Sequence, residues 1–131
     1  MSLSKRKYYR GFTFIELLVV VAIIAVLTAV GVVSFQSTTK KARDAKRKAD
    51  LEQIRSALEL CRSETGEYPL AIDSGVVCGA NTYLSPLPKD PKDGATGFAY
   101  TYTYTSTTEY ELCATTLEGK NEVSPYCVKN P

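Results

Sequence analysis

From Phe12 to Phe35 the chain is almost unbroken hydrocarbon, FTFIELLVVVAIIAVLTAVGVVSF, with Glu16 as its one charge. Past Thr38 the pattern changes to helical spacing: Ala42, Ala45 and Ala49 recur, then Ile54, Ala57, Leu58 and Cys61 continue an apolar stripe to Thr65. From Phe98 it changes again, to strict alternation. Phe98, Tyr100, Tyr102 and Tyr104 fall on one face, with Ala99, Thr101, Thr103 and Thr105 on the other. Tyr110, Leu112 and Ala114 alternate after a short Ser106-Thr107 turn, which predicts a hairpin. A long helix, a loop and a small antiparallel sheet make an α+β architecture in which the helix packs on the sheet.

The 24 residues from 12 to 35 rise about 36 Å as a helix, against a membrane hydrocarbon core of about 30 Å. Their β-branched side chains favour a strand in water. In lipid a lone segment has to satisfy its own backbone, so a helix is expected. A cleaved secretory signal is the plainer alternative. The stretch is long for one, and Ala29, Gly31 and Ser34 have the wrong spacing for a small-x-small cleavage site. The helix then runs on through 36–66, where Ala, Leu, Glu, Arg and Lys dominate. Asp44 with Lys48 and Glu59 with Arg62 are spaced to pair. Gly66 is a C-terminal cap, and Pro69 prevents continuation.

After the helix, ETGEYPLAIDSGVVCGANTYLSPLPKDPKDGATG is rich in Pro, Gly and Asp and reads as loop. The tail from Gly119 to Pro131 is polar and contains prolines. The tyrosine row is expected to pack the sheet against the helix, with a polymer-binding or subunit-contact surface as the alternative. Four cysteines and no histidine point to disulfides rather than zinc. Three pairings exist. Cys61 with Cys78 and Cys113 with Cys127 close the local loops, each worth about 3 kcal/mol.

Charge is uneven. Lys5, Arg6, Lys7 and Arg10 put +4 on the first eleven residues, so residues 12–131 carry net −2 from 12 basic and 14 acidic groups. That balance argues against a nucleic-acid binder. The cluster from Lys40 to Lys48 is net +5. It reads as a solvated face near anionic headgroups, as a contact for acidic patches on neighbours, or as a DNA-binding strip without interleaved aromatics. With positive charge on both flanks, the positive-inside rule nearly ties. No histidine, nucleophile motif or phosphate-cradling glycine loop is present, so no enzymatic activity is expected. No cofactor or metal is expected either.

Glu16 is the unusual residue, because an ionised carboxylate within a bilayer costs several kcal/mol unless it snorkels or serves a purpose. KYYRGFTFIELLVVVAII resembles the class III signal of type IV prepilins and pseudopilins: a basic leader ending in Gly11, then Phe12, with Glu16 four residues on. The resemblance implies cleavage between Gly11 and Phe12 by a prepilin peptidase and N-methylation of Phe12. It further implies assembly in which Glu16 neutralises the Phe12 amine of a neighbouring subunit. An unpaired buried charge is strongly penalised, so such a pair sets the axial register.

On this view residues 1–11 are a leader, 12–35 a transmembrane and assembly helix, 36–66 its amphipathic continuation and 67–131 a globular head. The implied product is a filament subunit of a type IV pilus or secretion pseudopilus. Its partners would be the peptidase, other pilins, the assembly machinery and the membrane. Before assembly it would sit in the inner membrane with a single pass and the head outside, and afterwards in an extracellular pilus or periplasmic pseudopilus. A minor pilin or membrane-anchored binding module for DNA, a surface or a secreted protein is the alternative.

EYP after the helix, LPKDP at 87–91 and the Tyr-x-Tyr pattern are similar to the major pseudopilins of type II secretion and related pilins. Some of these bind calcium in an acidic loop after the last strands. Here Leu117–Pro131 offers only Glu118 and Glu122, so calcium is not expected, and Asp90 and Asp93 read as turn formers. Many pilins also carry a proline partway through the helix. This chain has none before Pro69, which leaves Gly31 as the one weak point.

Overall fold

The computed structural model describes residues 11–131. The leader's Lys5, Arg6, Lys7 and Arg10 lie outside the described residues. Helix α1 runs Phe14–Thr65. Thr13 caps its start, and Gly66, at φ 82°, ends it by donating its N–H to the Arg62 carbonyl at 2.8 Å. A left-handed residue suits glycine because no Cβ crowds the carbonyl.

The chain divides into two units, one ending at Gln36 and one spanning Ser37–Pro131. From Phe14 the described part of the first unit is a single helix, and its large apolar side chains are exposed among the described residues, from Phe14 at 81% to Val19 at 48%. It is long and apolar enough to cross a membrane.

The second unit holds the rest of α1 and five strands: β1 (Val76–Cys78), β2 (Asn81–Leu84), β3 (Tyr100–Ser106), β4 (Glu109–Ala114) and β5 (Tyr126–Lys129). β1 and β2 form an antiparallel pair; β3, β4 and β5 form an antiparallel sheet in that order. Tyr102 lies opposite Leu112, and Leu112 opposite Val128. Leu51, Ile54, Leu58 and Cys61 of α1 meet Tyr110, Leu112 and Ala114 of β4 and Val128 of β5 in one core. Cys61 is bonded to Cys78, tying the end of α1 to β1. Cys113 is bonded to Cys127, its cross-strand neighbour.

Four expectations need correction. The stretch read as loop contains the β1–β2 pair, and the polar tail contributes β5. All three strands are only three or four residues long, too short for alternation to stand out. The β3–β4 turn sits at Thr107-Thr108, one residue later than expected. Ala42, Ala45 and Ala49 are exposed, and the residues turned inward at that level are Asp44, Arg47 and Asp50. Asp44 pairs with Arg47 rather than Lys48, and Glu59 and Arg62 both bond the Tyr68 hydroxyl.

The tyrosine row does face inward. Tyr100 and Tyr102 pack against the core, and their hydroxyls donate to Asp50 Oδ2 at 2.8 Å and to the Pro69 carbonyl at 2.6 Å. Gly75, at φ 142°, lies so close to the Leu84 carbonyl that a Cβ would collide with it.

Candidate functional site

The first candidate is the start of α1. Thr13, Phe14, Ile15 and Glu16 form a capping box. The Thr13 N–H donates to Glu16 Oε2 at 2.8 Å, and the Thr13 hydroxyl donates to the same oxygen at 2.7 Å. In return the Glu16 N–H donates to Thr13 Oγ1 at 3.3 Å. Such reciprocity satisfies donors that a helix start otherwise leaves open. Both bonds to the carboxylate use Oε2, one residue from Phe12. Gly11, Phe12 and Glu16 are all exposed. The Thr-x-x-Glu pattern is legible in the sequence, although the expectations for Glu16 were snorkelling or assembly and not capping. The large apolar side chains that follow are exposed among the described residues, and an exposed patch of this size marks a contact with lipid or protein.

The second candidate is a charged cluster in the head. Arg47 is wholly buried, yet it belongs to the run expected to face solvent. Its Nε and Nη2 donate to Asp90 Oδ2 and Oδ1 at 2.7 and 2.9 Å, and Nη1 donates to Asp44 Oδ1 at 2.7 Å and Glu118 Oε2 at 3.1 Å. Phe98 lies 5.0 Å from the guanidinium carbon. Glu118 also receives a two-pronged bond from Arg43, at 2.6 and 2.8 Å, and pairs with Lys92 at 2.7 Å.

Asp44 turns to the tail as well, accepting the backbone N–H groups of Glu118 and Gly119 at 2.9 and 2.7 Å. A Cβ at Gly119 would lie 3.1 Å from Asp44 Oδ2 and closer still to the Glu122 side chain, so both would have to shift to admit one. Lys48 pairs with Glu122. Arg43, Arg47 and Lys48 thus hold the head's loops to the helix, while Lys40, Lys41 and Lys46 stay exposed.

The cluster sets a pH dependence. Arg43, Lys92 and Arg47 hold the Glu118 carboxyl far below the usual range, against the opposing effect of burial. Burial pushes Asp90 up, but Arg47 and the Lys92 N–H outweigh it and leave Asp90 lowered too. Carboxylates depressed in the folded state stabilise it above their unfolded pKa of about 4. That contribution disappears as pH falls through the folded values. Thermal melts of the chain in detergent should show a flat Tm from pH 7 to about 5 and a steep fall below pH 4. In Glu118→Gln the fall should be shallower.

The donor set does not suit a calcium ion. Every carboxylate oxygen that would face one already accepts from Arg43, Arg47, Lys92 or a backbone N–H, and Arg47 stands at the centre. Glu111, Cys113 and Cys127 also lie within ligand distance of one another. Both sulfurs are committed to a disulfide, which removes the thiolates a metal would need. A cleft of the head, floored by Ile54 and Leu112, has its acidic groups partly committed, Asp90 to Arg47 and Asp93 to Lys89.

Residues 6–32 match the prokaryotic N-terminal methylation motif. The chain is 44% identical over 57 residues to the prepilin peptidase-dependent protein D of Escherichia coli, covering 44% of this chain and 39% of that protein. It is 29% identical over 86 residues to the type II secretion system core protein G of Pectobacterium carotovorum, covering 65% and 55%. It is 36% identical over 52 residues to the type IV major fimbrial protein FimA of Dichelobacter nodosus, covering 40% and 33%. The chain therefore matches between a third and just over half the length of these relatives. An 86-residue match cannot fit within the 65 residues up to the end of α1, so the similarity to core protein G includes head residues. No solved structure matches the chain significantly.

Proposed function

From its membership of the type IV pilin and pseudopilin family, we propose that this chain is a structural filament subunit, made as a membrane-anchored precursor and assembled through the first part of α1. The observation that carries the reading is the methylation motif set directly on an exposed, membrane-length helix. Residues 1–11 are the leader, 12–35 the assembly helix, 36–66 its amphipathic continuation and 67–131 the globular head. A prepilin peptidase cuts between Gly11 and Phe12, and the new Phe12 amine is methylated. Before assembly the chain crosses the inner membrane once with the head outside, where an oxidising compartment suits its two disulfides.

In the filament, Glu16 meets the Phe12 amine of a neighbour. The capping box supports this role, because it fixes the carboxylate beside the helix start while both its bonds fall on Oε2. The subunit does no chemistry itself; its partners are the peptidase, other subunits and the assembly machinery. The length of the match to core protein G favours a secretion pseudopilus over a pilus.

Co-expression with a prepilin peptidase and intact-mass measurement tests the processing step. The expected species is residues 12–131 with one added methyl group and two disulfides. A chain that keeps its leader in the presence of active peptidase rules the proposal out.

A further inference from the structure

We propose that Arg47 is a built-in cation that organises the head's surface loops in place of a metal, so that the head folds and keeps its C-terminal loop independently of divalent ions. Three segments distant in sequence each send one carboxylate to a single point: Asp44 from α1, Asp90 from the loop before β3 and Glu118 from the tail. Oxygen donors converging from separate segments are what a hard cation such as calcium would gather. Here the guanidinium gathers them.

Arg43 and Lys92 both bond Glu118, so among the described residues Asp44 and Asp90 have Arg47 as their one salt-bridge partner. Four donor–acceptor contacts use Nε, Nη1 and Nη2, and Phe98 stands beside the guanidinium carbon. A free ion would have to displace a charge that is wholly buried and covalently tethered to the helix. A tethered group acts at an effective concentration that a dissolved ion at ordinary levels does not match. The planar fork also bonds Asp90 with two parallel N–H groups, which a spherical ion or a lysine cannot copy.

The inference does not depend on the filament reading, because it concerns the fold of the head. Thermal melts of the full chain in detergent test it, monitored by circular dichroism with excess EDTA, with millimolar calcium and with neither. Wild type should give the same Tm in all three. Arg47→Ala should melt far lower, and millimolar methylguanidinium should recover part of the loss where sodium at equal concentration recovers none. If Arg47→Ala does not fold, Arg47→Lys takes its place and should melt well below wild type, since charge alone does not replace the fork.

A wild-type Tm that drops with EDTA or rises with calcium overturns the proposal. So does a folded Arg47→Ala that ignores methylguanidinium, or an Arg47→Lys as stable as wild type. Processing and filament formation are scored separately, so failure of one leaves the other standing.

Discussion

Glu16→Ala is expected to abolish filament formation while cleavage after Gly11 continues. Two effects of different size are lost with this carboxylate. One is local: the capping box with Thr13, worth about 1 kcal/mol to the helix start. The other is the charge opposite a neighbour's Phe12 amine in an apolar surround, where an orphaned partner costs about 3–5 kcal/mol per subunit. A repeating contact multiplies that cost along the filament, so sheared filaments should fall below detection.

Glu16→Gln separates the two effects. Glutamine at this position still completes a capping box but carries no charge. If charge pairing governs assembly, Gln should fail as Ala does. If Gln assembles normally, helix capping explains the residue and the pairing is wrong.

Asp90→Ala should be the most damaging single change among the head's acidic residues. It strips Arg47 of both prongs of its strongest bond and leaves a wholly buried guanidinium short of charge. Removing one partner of a buried pair costs about 3–5 kcal/mol. For a domain of this size that lowers Tm by on the order of 15 °C or more. Asp93→Ala is the matched control three residues away. Its contact is an exposed 3.5 Å pair with Lys89, so the change should stay within about 0.5 kcal/mol. Equal losses from the two substitutions would mean that the burial of Arg47 contributes nothing.

The features that were legible in the sequence are those with a long period or a fixed motif. α1 could be read because a largely apolar run of 24 residues and a Gly66-x-x-Pro69 stop leave little choice. β3 and β4 could be read because each alternates over six or seven residues. The β1–β2 pair and β5 were not, since three or four residues cannot show a period and their pairing depends on the tertiary neighbours Cys61 and Cys113.

The inward phase of the helix at this level differs from the alanine pattern for a physical reason. Alanine fits either side of a helix, so Ala42, Ala45 and Ala49 gave no true direction. Counting back from Leu58 through Ile54 and Leu51 in steps of four and three reaches Arg47 and Asp44, the residues that face inward. A charged residue at an apolar phase is a sign of burial with partners, and that signal was present. Its partners, Asp90 and Glu118, lie 43 and 71 residues away, and no local pattern names them.

Assembly of this chain through its trimmed helix leaves a direct trace in the filament itself. The most direct measurement is N-terminal sequencing and mass analysis of filaments sheared from cells that express the chain with its assembly machinery. The expected result is filaments built from this chain, with methylated Phe12 as the first residue. Filaments that lack the chain, or a chain that stays in the membrane fraction with its leader attached, would contradict it.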